Sequence, residues 1–269
     1  MKSRERQKYI LNTARDFGFV SISDAAKHLG TSIETVRRDI NKLVELNYLM
    51  KKRGGAAPTK LSLRRDADYL ERINTHKKER MSIGSVAASM IKSGSVVALD
   101  SGVSIQEVAS AIRDVTDVTF VTNSLPTAAI LLRKIDFREI TGRVIMLGGE
   151  FDVSNKFTKG ARLAEDISKY YFDIAFISCT SLSEDGASSF GLDECYYEEQ
   201  LIKRSTVSVL VADSEKIGKN SLYTFASLSE FNHIIVDNKY KMPSNIKKVI
   251  NETACELIVT SINDLDIGR

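Results

Sequence analysis

Small polar residues follow an apolar run near the middle of the chain, and their types suit the binding of an anion. The run 96–99 leads into Asp100-Ser101-Gly102-Val103-Ser104, and a helix is predicted directly afterwards. Backbone N–H groups at the start of a helix attract negative charge, and small residues allow a phosphate to approach them closely. This turn therefore predicts a site for a phosphate or a similar anionic group.

Three further apolar runs end in polar or glycine residues of the same kind. Thr122-Asn123-Ser124 follows one run, Gly148-Gly149 follows the next, and Lys216 lies in the loop after 207–211. The chain has neither a Walker A motif nor a G-x-G-x-x-G fingerprint, which disfavours a nucleotide. The predicted effector-binding residues are Asp100, Ser101, Gly102, Val103, Ser104, Thr122, Asn123, Ser124, Gly148, Gly149 and Lys216.

Carboxylates between residues 185 and 199 are the candidates for proton transfer, should the chain be an enzyme. They are Asp185, Asp193, Glu194, Glu198 and Glu199. The stretch 198–204 has the pattern of a solvent-exposed helix surface, and none of these carboxylates stands in a recognisable catalytic motif. The three cysteines, widely separated in sequence, indicate buried thiols instead of a zinc site. We therefore predict no catalytic residue, no metal and no cofactor.

The segment 32–44 has the pattern of a helix that could enter a DNA groove. Its apolar positions share one face, and Arg38 and Asn41 lie opposite, with Arg37 on the flank. A short helix precedes it, and Gly30 closes that helix. The order predicts a helix-turn-helix. The apolar face consists of Ile33, Val36, Ile40, Leu43 and Val44.

Three consecutive cations, Lys51-Lys52-Arg53, precede Gly54-Gly55 and indicate a wing that lies along the phosphate backbone. A plain amphipathic helix followed by a linker hairpin with solvated lysines is the alternative. The presence of all the parts in this order favours DNA binding. The predicted DNA-binding residues are Ser32, Glu34, Thr35, Arg37, Arg38, Asn41, Lys51, Lys52 and Arg53.

The charge distribution separates a basic head from an acidic body. Residues 1–80 contain 19 Lys and Arg against 10 Asp and Glu, whereas the remainder contains 19 against 25. A basic head on an acidic body fits a nucleic-acid-binding domain joined to a domain with another task. Long apolar runs and a secretory signal are not found, so we expect a soluble cytoplasmic protein.

Seven short β-branched runs alternate with helical segments after residue 95, which predicts an α/β domain with a mainly parallel sheet. Ligands bind such sheets at the carboxyl ends of the strands, where the polar turns stand. We predict a winged helix-turn-helix domain over 1–57, a linker over 58–74 and an α/β effector-binding domain over 75–269. The runs are 96–99, 118–121, 144–147, 174–177, 207–211, 233–236 and 257–259.

The string Thr35-Val36-Arg37-Arg38-Asp39-Ile40, together with Ser32 and Arg53-Gly54-Gly55-Ala56, resembles the N-terminal signature of the DeoR family of bacterial regulators. The resemblance implies that Ser32, Thr35, Arg37 and Arg38 lie at the DNA. It also implies that Asp39 is a structural partner within the domain.

The second part of the chain resembles the sensor domain of the same family, which is similar in fold to ribose-5-phosphate isomerase. Family members generally respond to phosphorylated sugars. Val103 replaces a residue that is usually Thr or Ser, and Cys179-Thr180-Ser181 stands where a Gly-containing segment is common. The matching positions are Asp100, Ser101, Gly102, Ser104, Thr122, Asn123, Gly148, Gly149, Asp213 and Lys216.

Together these patterns predict a sequence-specific transcriptional regulator, a repressor of a sugar-metabolism operon whose DNA binding responds to a phosphorylated sugar or similar anionic metabolite. Its partners would be double-stranded operator DNA and a second copy of the chain, as a homodimer or homotetramer. A sugar-phosphate isomerase-like enzyme with an accessory DNA-binding domain is the alternative, and a DNA-binding protein without a ligand ranks third.

Overall fold

The computed structural model describes residues 3–45, 48–59 and 69–263. Its contacts divide the chain into two compact units, Met1–Arg65 and Asp66–Arg269. Residues 60–68 of the predicted linker lie outside the described residues. The end of that predicted linker, Tyr69–Asn74, is a helix and belongs to the second unit.

The first unit packs three helices against a small antiparallel sheet with the strand order β1-β3-β2. Its core forms where the apolar faces of the helices meet around Ile10, Val36 and Ile40, all of which are buried. The elements are α1 (Ser3–Phe17), β1 (Val20–Ser21), α2 (Ile22–Leu29), α3 (Ile33–Glu45), β2 (Leu49–Lys52) and β3 (Gly55–Pro58).

The turn between α2 and α3 follows the predicted chemistry. Gly30 ends α2 in the left-handed conformation, with φ of 58°, and its N–H reaches back to the last carbonyls of the helix. Of the predicted apolar face of α3, Val36, Ile40 and Leu43 are buried. The prediction for Ile33 is wrong: its side chain is 49% exposed, because it begins the helix beyond the end of the packed stripe.

The second unit is built on seven parallel strands, in the order β15-β14-β12-β9-β4-β5-β6. All seven predicted runs are strands of this sheet, and their nearly continuous apolar character reflects burial on both faces. The strands are β4 (Val96–Leu99), β5 (Val118–Thr122), β6 (Gly142–Met146), β9 (Phe172–Ile177), β12 (Ser205–Ala212), β14 (His233–Asp237) and β15 (Glu256–Thr260).

Helices cover the sheet on both faces and bury two separate hydrophobic cores. One core contains apolar residues of the first three helices below, and the other contains those of the last three. The helices are α5 (Lys77–Ala88), α6 (Val103–Ala111), α7 (Leu125–Asp136), α8 (Ala161–Ile167), α9 (Leu192–Lys203) and α10 (Ser244–Asn251).

The direction of winding reverses between the two neighbouring strands β4 and β9. From β4 the chain continues through α6 to β5 on one side, and from β9 it continues through α9 to β12 on the other. The connections therefore leave a crevice at the carboxyl ends of β4 and β9, which is where doubly wound sheets bind ligands.

Short antiparallel strands decorate this sheet, and the sequence analysis did not foresee them. β7 (Glu150–Asp152) pairs with β8 (Phe157–Lys159) as a hairpin. A three-stranded sheet forms from β10 (Ser181–Ser183), β11 (Gly186–Ser189) and β13 (Tyr223–Ala226). The hairpin lies between β6 and α8, so it lies beside the carboxyl end of the main sheet.

The helix α4 (Tyr69–Asn74) is attached to two elements near that edge. The Tyr69 hydroxyl donates to the Gln106 side chain on α6 at 3.2 Å. Arg72 donates to Oδ1 of Asn155, in the turn of the β7–β8 hairpin, at 2.7 Å. Buried Arg80 on α5 donates to the carbonyl oxygens of Arg72 and Ile73, so it supports the end of α4.

Candidate functional site

The outer face of α3 presents the polar residues that were predicted to lie at the DNA. Glu34, Arg37, Arg38 and Asn41 are exposed, and Thr35 is half-buried. Ser32 stands directly before the helix, and its Oγ accepts a hydrogen bond from the Thr35 backbone N at 3.1 Å. Such capping satisfies one of the free N–H groups of the first turn.

Asp39 is a structural partner, as the resemblance implied. Its carboxylate is buried and accepts hydrogen bonds from Arg6 Nε at 2.8 Å and from Gln7 Nε2 at 3.0 Å, both on α1. A buried charge requires partners of this kind. The pair therefore fixes the orientation of α3 on α1.

The wing is the hairpin of β2 and β3, and Lys51, Lys52 and Arg53 are exposed along it. The predicted Gly54-Gly55 turn is shifted by one residue, because Gly55 pairs with Lys52 inside the ladder. Gly54 adopts φ of +80° in the turn. A Cβ on Gly55 would lie 2.0 Å from the Val20 carbonyl oxygen, so only glycine fits against β1.

A groove separates α3 from the wing and collects cations from both. Arg37 and Asn41 come from α3, and Lys51 and Lys52 come from the wing. The other predicted DNA-binding residues (Ser32, Glu34, Thr35, Arg38 and Arg53) lie outside the groove lining, at exposed or half-buried positions. Cations on a helix and an adjacent hairpin can contact a groove and its flanking phosphates together.

In the second unit, Asp100 lies at the reversal of winding between β4 and β9. Its Oδ2 accepts from the Ser178 backbone N and from Ser178 Oγ, both at 2.9 Å, and its Oδ1 accepts from the Ser101 backbone N at 2.6 Å. Burial raises the pKa of Asp100 to about 6, against the lowering effects of these hydrogen bonds and of the positive charge of Lys216. Asp100 therefore orients the turn by tying the ends of two strands together.

The predicted turn after β4 packs tightly against Ser178. Gly102 has φ of +110°, and a Cβ there would lie 2.8 Å from Ser178 Oγ. Val103 is buried in the start of α6, so its side chain serves packing. The Ser104 hydroxyl is also buried, and among the described residues it has no hydrogen-bond partner.

The polar residues after β5 divide between local structure and the cleft. Thr122 Oγ1 accepts from the Ser124 backbone N at 3.1 Å, and Ser124 Oγ caps α7 by accepting from the Thr127 backbone N at 3.4 Å. Asn123 is different, because its Nδ2 donates to the Thr158 carbonyl of β8 at 3.1 Å. Asn123 therefore joins the main sheet to the hairpin.

Gly148 and Gly149 serve the hairpin. Both are exposed, and a Cβ on Gly149 would lie 2.5 Å from the Lys159 carbonyl oxygen, so the close approach of the two strands requires glycine. Lys216 is half-buried after β12, and its Nζ donates to the Cys179 carbonyl at 2.6 Å. Its charge still acts on Asp100.

A small cleft opens beside Asp100 and unites only some of the predicted residues. Asp100, Ser101 and Asn123 line it, whereas Gly148, Gly149 and Lys216 are not among the described residues of its wall. The sequence analysis missed most of the other wall residues. They come from the hairpin and from α8 and α9: Phe157, Thr158, Lys159, Leu163, Asp193, Glu194 and Tyr197.

The interpretation of 198–204 as a solvated helix surface is wrong for Glu198. Glu198 is 4% exposed, and its Oε1 accepts from Ser189 Oγ at 2.6 Å. Burial, followed by the negative charge of Asp100, raises the pKa of Glu198 well above its usual range. The spacing of Tyr197, Glu198 and Leu201 around the helix could have revealed this, because it puts Glu198 on the buried stripe.

The remaining predictions concern metals, thiols and membranes. All three cysteines are free and buried, and burial raises the pKa of Cys195 to about 12. Within the described residues, no cluster of His, Cys, Asp or Glu has the arrangement to hold a metal ion. In the same part of the chain, no helix combines the length and the apolar character needed to cross a bilayer.

Solved structures offer distant likenesses. Ribose 5-phosphate isomerase A from Methanocaldococcus jannaschii matches 53% of this chain and 55% of that chain at 12% identity, with a TM-score of 0.35. The sorbitol operon regulator SorC from Klebsiella pneumoniae matches 98% of each chain at 8% identity, with a TM-score of 0.37. Likenesses at this level carry no argument about function.

Curated sequences are more similar. An uncharacterised HTH-type transcriptional regulator of Staphylococcus epidermidis is 31% identical over 80% of this chain and 84% of its own. The HTH-type transcriptional repressor GlcR of Bacillus subtilis is 29% identical over 97% of each chain. The glycerol-3-phosphate regulon repressor of Escherichia coli is 29% identical over 88% of this chain and 92% of its own.

Two family models match the two units separately. The DeoR-like helix-turn-helix domain covers residues 6–60, and the DeoR C-terminal sensor domain covers residues 75–238. The groove of cations between α3 and the wing falls within the first match, and the cleft beside Asp100 falls within the second. The chain belongs to the DeoR family of DNA-binding transcriptional regulators.

Proposed function

We propose that the chain is a repressor of a sugar-metabolism operon, that α3 and the wing bind the operator, and that a phosphorylated sugar at the crevice between β4 and β9 controls this binding. Repressors named for glycerol 3-phosphate and for lactose uptake are among its relatives, which supports the substrate class. The same relatives support action in the cytoplasm, on double-stranded DNA and as a homodimer or homotetramer.

One observation carries the effector half of the proposal: the turn Ser101–Gly102, the start of α6 and Lys216 all lie at the crevice where the winding reverses. The turn and the helix start offer backbone N–H groups to a phosphate, and Lys216 offers a countercharge. Asp100 does not contact the phosphate, because its oxygens already hold Ser101 and Ser178.

Calorimetry with the sugar phosphates of a thermal-shift screen tests the effector half. Replacing Lys216 with Ala removes a charge-assisted contact, and the affinity should fall about ten- to a hundredfold. Lys219→Ala is the matched control, because Lys219 is an exposed lysine in the same loop. Equal affinities for wild type and Lys216→Ala would contradict the assignment, as would a preferred ligand without an anionic group.

An enzyme remains the second candidate, since buried Asp100 and Glu198 lie near Lys216 and proton transfer on a sugar phosphate needs a carboxylate base. We infer a regulator without catalysis, because the relatives are named as regulators and repressors. The purified protein should leave ribose 5-phosphate unconverted at concentrations that saturate the site. Turnover would favour the enzyme.

A further inference from the structure

Three buried polar atoms near Asp100 have no hydrogen-bond partner among the described residues. They are Oδ1 of Asn123, the hydroxyl of Tyr197 and Oε2 of Glu198. None of the three residues is more than 4% exposed. A buried polar atom without a partner costs about 1–3 kcal/mol, and most such atoms in folded proteins are satisfied. Three of them at one place indicate groups that a ligand completes.

The three atoms belong to one end of the cleft. Asn123 and Tyr197 line it together with Asp100. The Tyr197 hydroxyl lies beside the Asn123 backbone amide without completing a hydrogen bond to it. Glu198 follows Tyr197 on α9, and the charges of Asp100 and Lys216 both act on it.

The chemistry of these atoms determines what they can bind. The Tyr197 O–H can donate, and the Asn123 Oδ1 can only accept. Burial favours the neutral form of Glu198, because it raises the pKa of that carboxyl, and Oε2 can then donate or accept. An alcohol hydroxyl both donates and accepts, so it can satisfy all three. A carboxylate or phosphate would instead lie beside Asp100, which repels it.

Resting on the proposed effector site, we propose that Asn123, Tyr197 and Glu198 form a hydroxyl-binding end of the cleft. This end selects phosphorylated ligands whose part remote from the phosphate is an uncharged polyol. It rejects ligands that carry a second anionic group in that position.

Matched pairs of ligands test the selection directly by calorimetry on the full chain. The pairs are glycerol 3-phosphate with glycerate 3-phosphate, glucitol 6-phosphate with gluconate 6-phosphate, and fructose 6-phosphate with fructose 1,6-bisphosphate. In each pair that binds, the uncharged member should bind at least about tenfold more tightly, because sites built on hydrogen bonds to a hydroxyl discriminate strongly. Equal or tighter binding of the doubly anionic member would overturn the proposal.

Tyr197→Phe then tests the residue itself, because it removes one hydroxyl and retains the ring that packs in the core. The affinity for the uncharged members should fall about tenfold, in line with the loss of one hydrogen bond to a buried partner. Tyr196→Phe, on the neighbouring exposed residue of α9, is the same chemical change and should leave the affinity unaltered. Unchanged binding by Tyr197→Phe would overturn the assignment.

The two proposals fail in distinguishable ways. If the pairs bind in a Lys216-dependent manner but without a preference for the uncharged member, the phosphate site stands and the hydroxyl-binding end is refuted. If no member of any pair binds, the effector proposal fails, and the hydroxyl-binding end fails with it.

Discussion

At the scale of single residues, Asp100 combines a structural and an electrostatic task. It joins the ends of β4 and β9 through Ser178, and its carboxyl is fully buried. Burial raises its pKa from the ordinary 3.8 to about 6. The folded protein therefore holds the proton of Asp100 over a pH range in which the unfolded chain has already released it.

This shift predicts a specific dependence of stability on pH. As the pH rises from the ordinary pKa of 3.8 to about 6, the unfolded state releases its proton first, so the free energy of unfolding falls. The loss from this group totals about 3 kcal/mol and is complete above pH 6 or so. Asp100→Asn should remove this slope, measured by urea unfolding at a series of pH values, whatever its effect on absolute stability.

Asp136→Asn is the control for that measurement, because Asp136 is an exposed carboxylate at the end of α7 and should leave the slope as in wild type. Parallel pH profiles for wild type and Asp100→Asn would show that Asp100 does not titrate as described.

Arg38 and Lys52 represent the two kinds of DNA contact that the first unit can make. Arg38→Ala should cost about 1–3 kcal/mol of operator binding and relax specificity at one base pair, as expected when an arginine on α3 contacts a base edge. Lys52→Ala should weaken binding to all sequences alike and flatten its salt dependence, as loss of a phosphate contact does.

Titration of the operator and of an unrelated duplex at several salt concentrations distinguishes these outcomes. Arg162→Ala, an exposed arginine of the second unit, should behave as wild type. The roles assigned to Arg38 and Lys52 would be refuted if the two variants lost the same affinity for both duplexes.

At the scale of elements, the sequence predicted what one chain segment decides alone. The central strands are apolar along their whole length, and α3 has a clear buried stripe, so both were predictable. The short strands Ser181–Ser183 and Gly186–Ser189 are polar, yet they are buried, because their serines satisfy each other across the ladder: Ser181 Oγ and Ser188 Oγ are 3.0 Å apart. Such pairing depends on the partner strand and leaves no periodic pattern in either segment.

The cleft shows the same division. Asp100, Ser101 and Asn123 were predictable because the carboxyl ends of parallel strands converge. Lys159 and Tyr197 were not, because the hairpin and α9 reach the cleft only through tertiary packing. Glu198 was misread because a carboxylate on a helix is usually solvated, and burial here depends on Ser189 accepting the role of partner.

At the scale of the whole molecule, α4 is the described element from which the chain leads back, through residues 60–68, to the first unit. It is bonded to α6, which begins at the proposed phosphate turn, and to the hairpin that forms part of the cleft wall. A ligand that moves either element therefore changes the support of α4.

Asn155→Ala removes the acceptor of Arg72 in the hairpin turn. The sugar phosphate should still bind, and DNA should still bind without it, but the effect of the ligand on DNA affinity should shrink by about 0.5–2 kcal/mol. DNA titrations with and without saturating ligand measure this coupling. Asn251→Ala, on an exposed residue at the end of α10, should retain the full effect; full coupling in Asn155→Ala would exclude this route.

The length of α4 has a thermodynamic consequence. Isolated helices shorter than about 12–15 residues are marginal in water, and α4 has six. Its order is therefore borrowed from Gln106, Asn155 and Arg80, and it can be lost at little cost when one of them moves. Linkage makes such a relay work in both directions: a factor by which the sugar phosphate changes affinity for DNA is the same factor by which DNA changes affinity for the sugar phosphate. An operator-bound repressor would thus sense its metabolite with a different threshold from a free one.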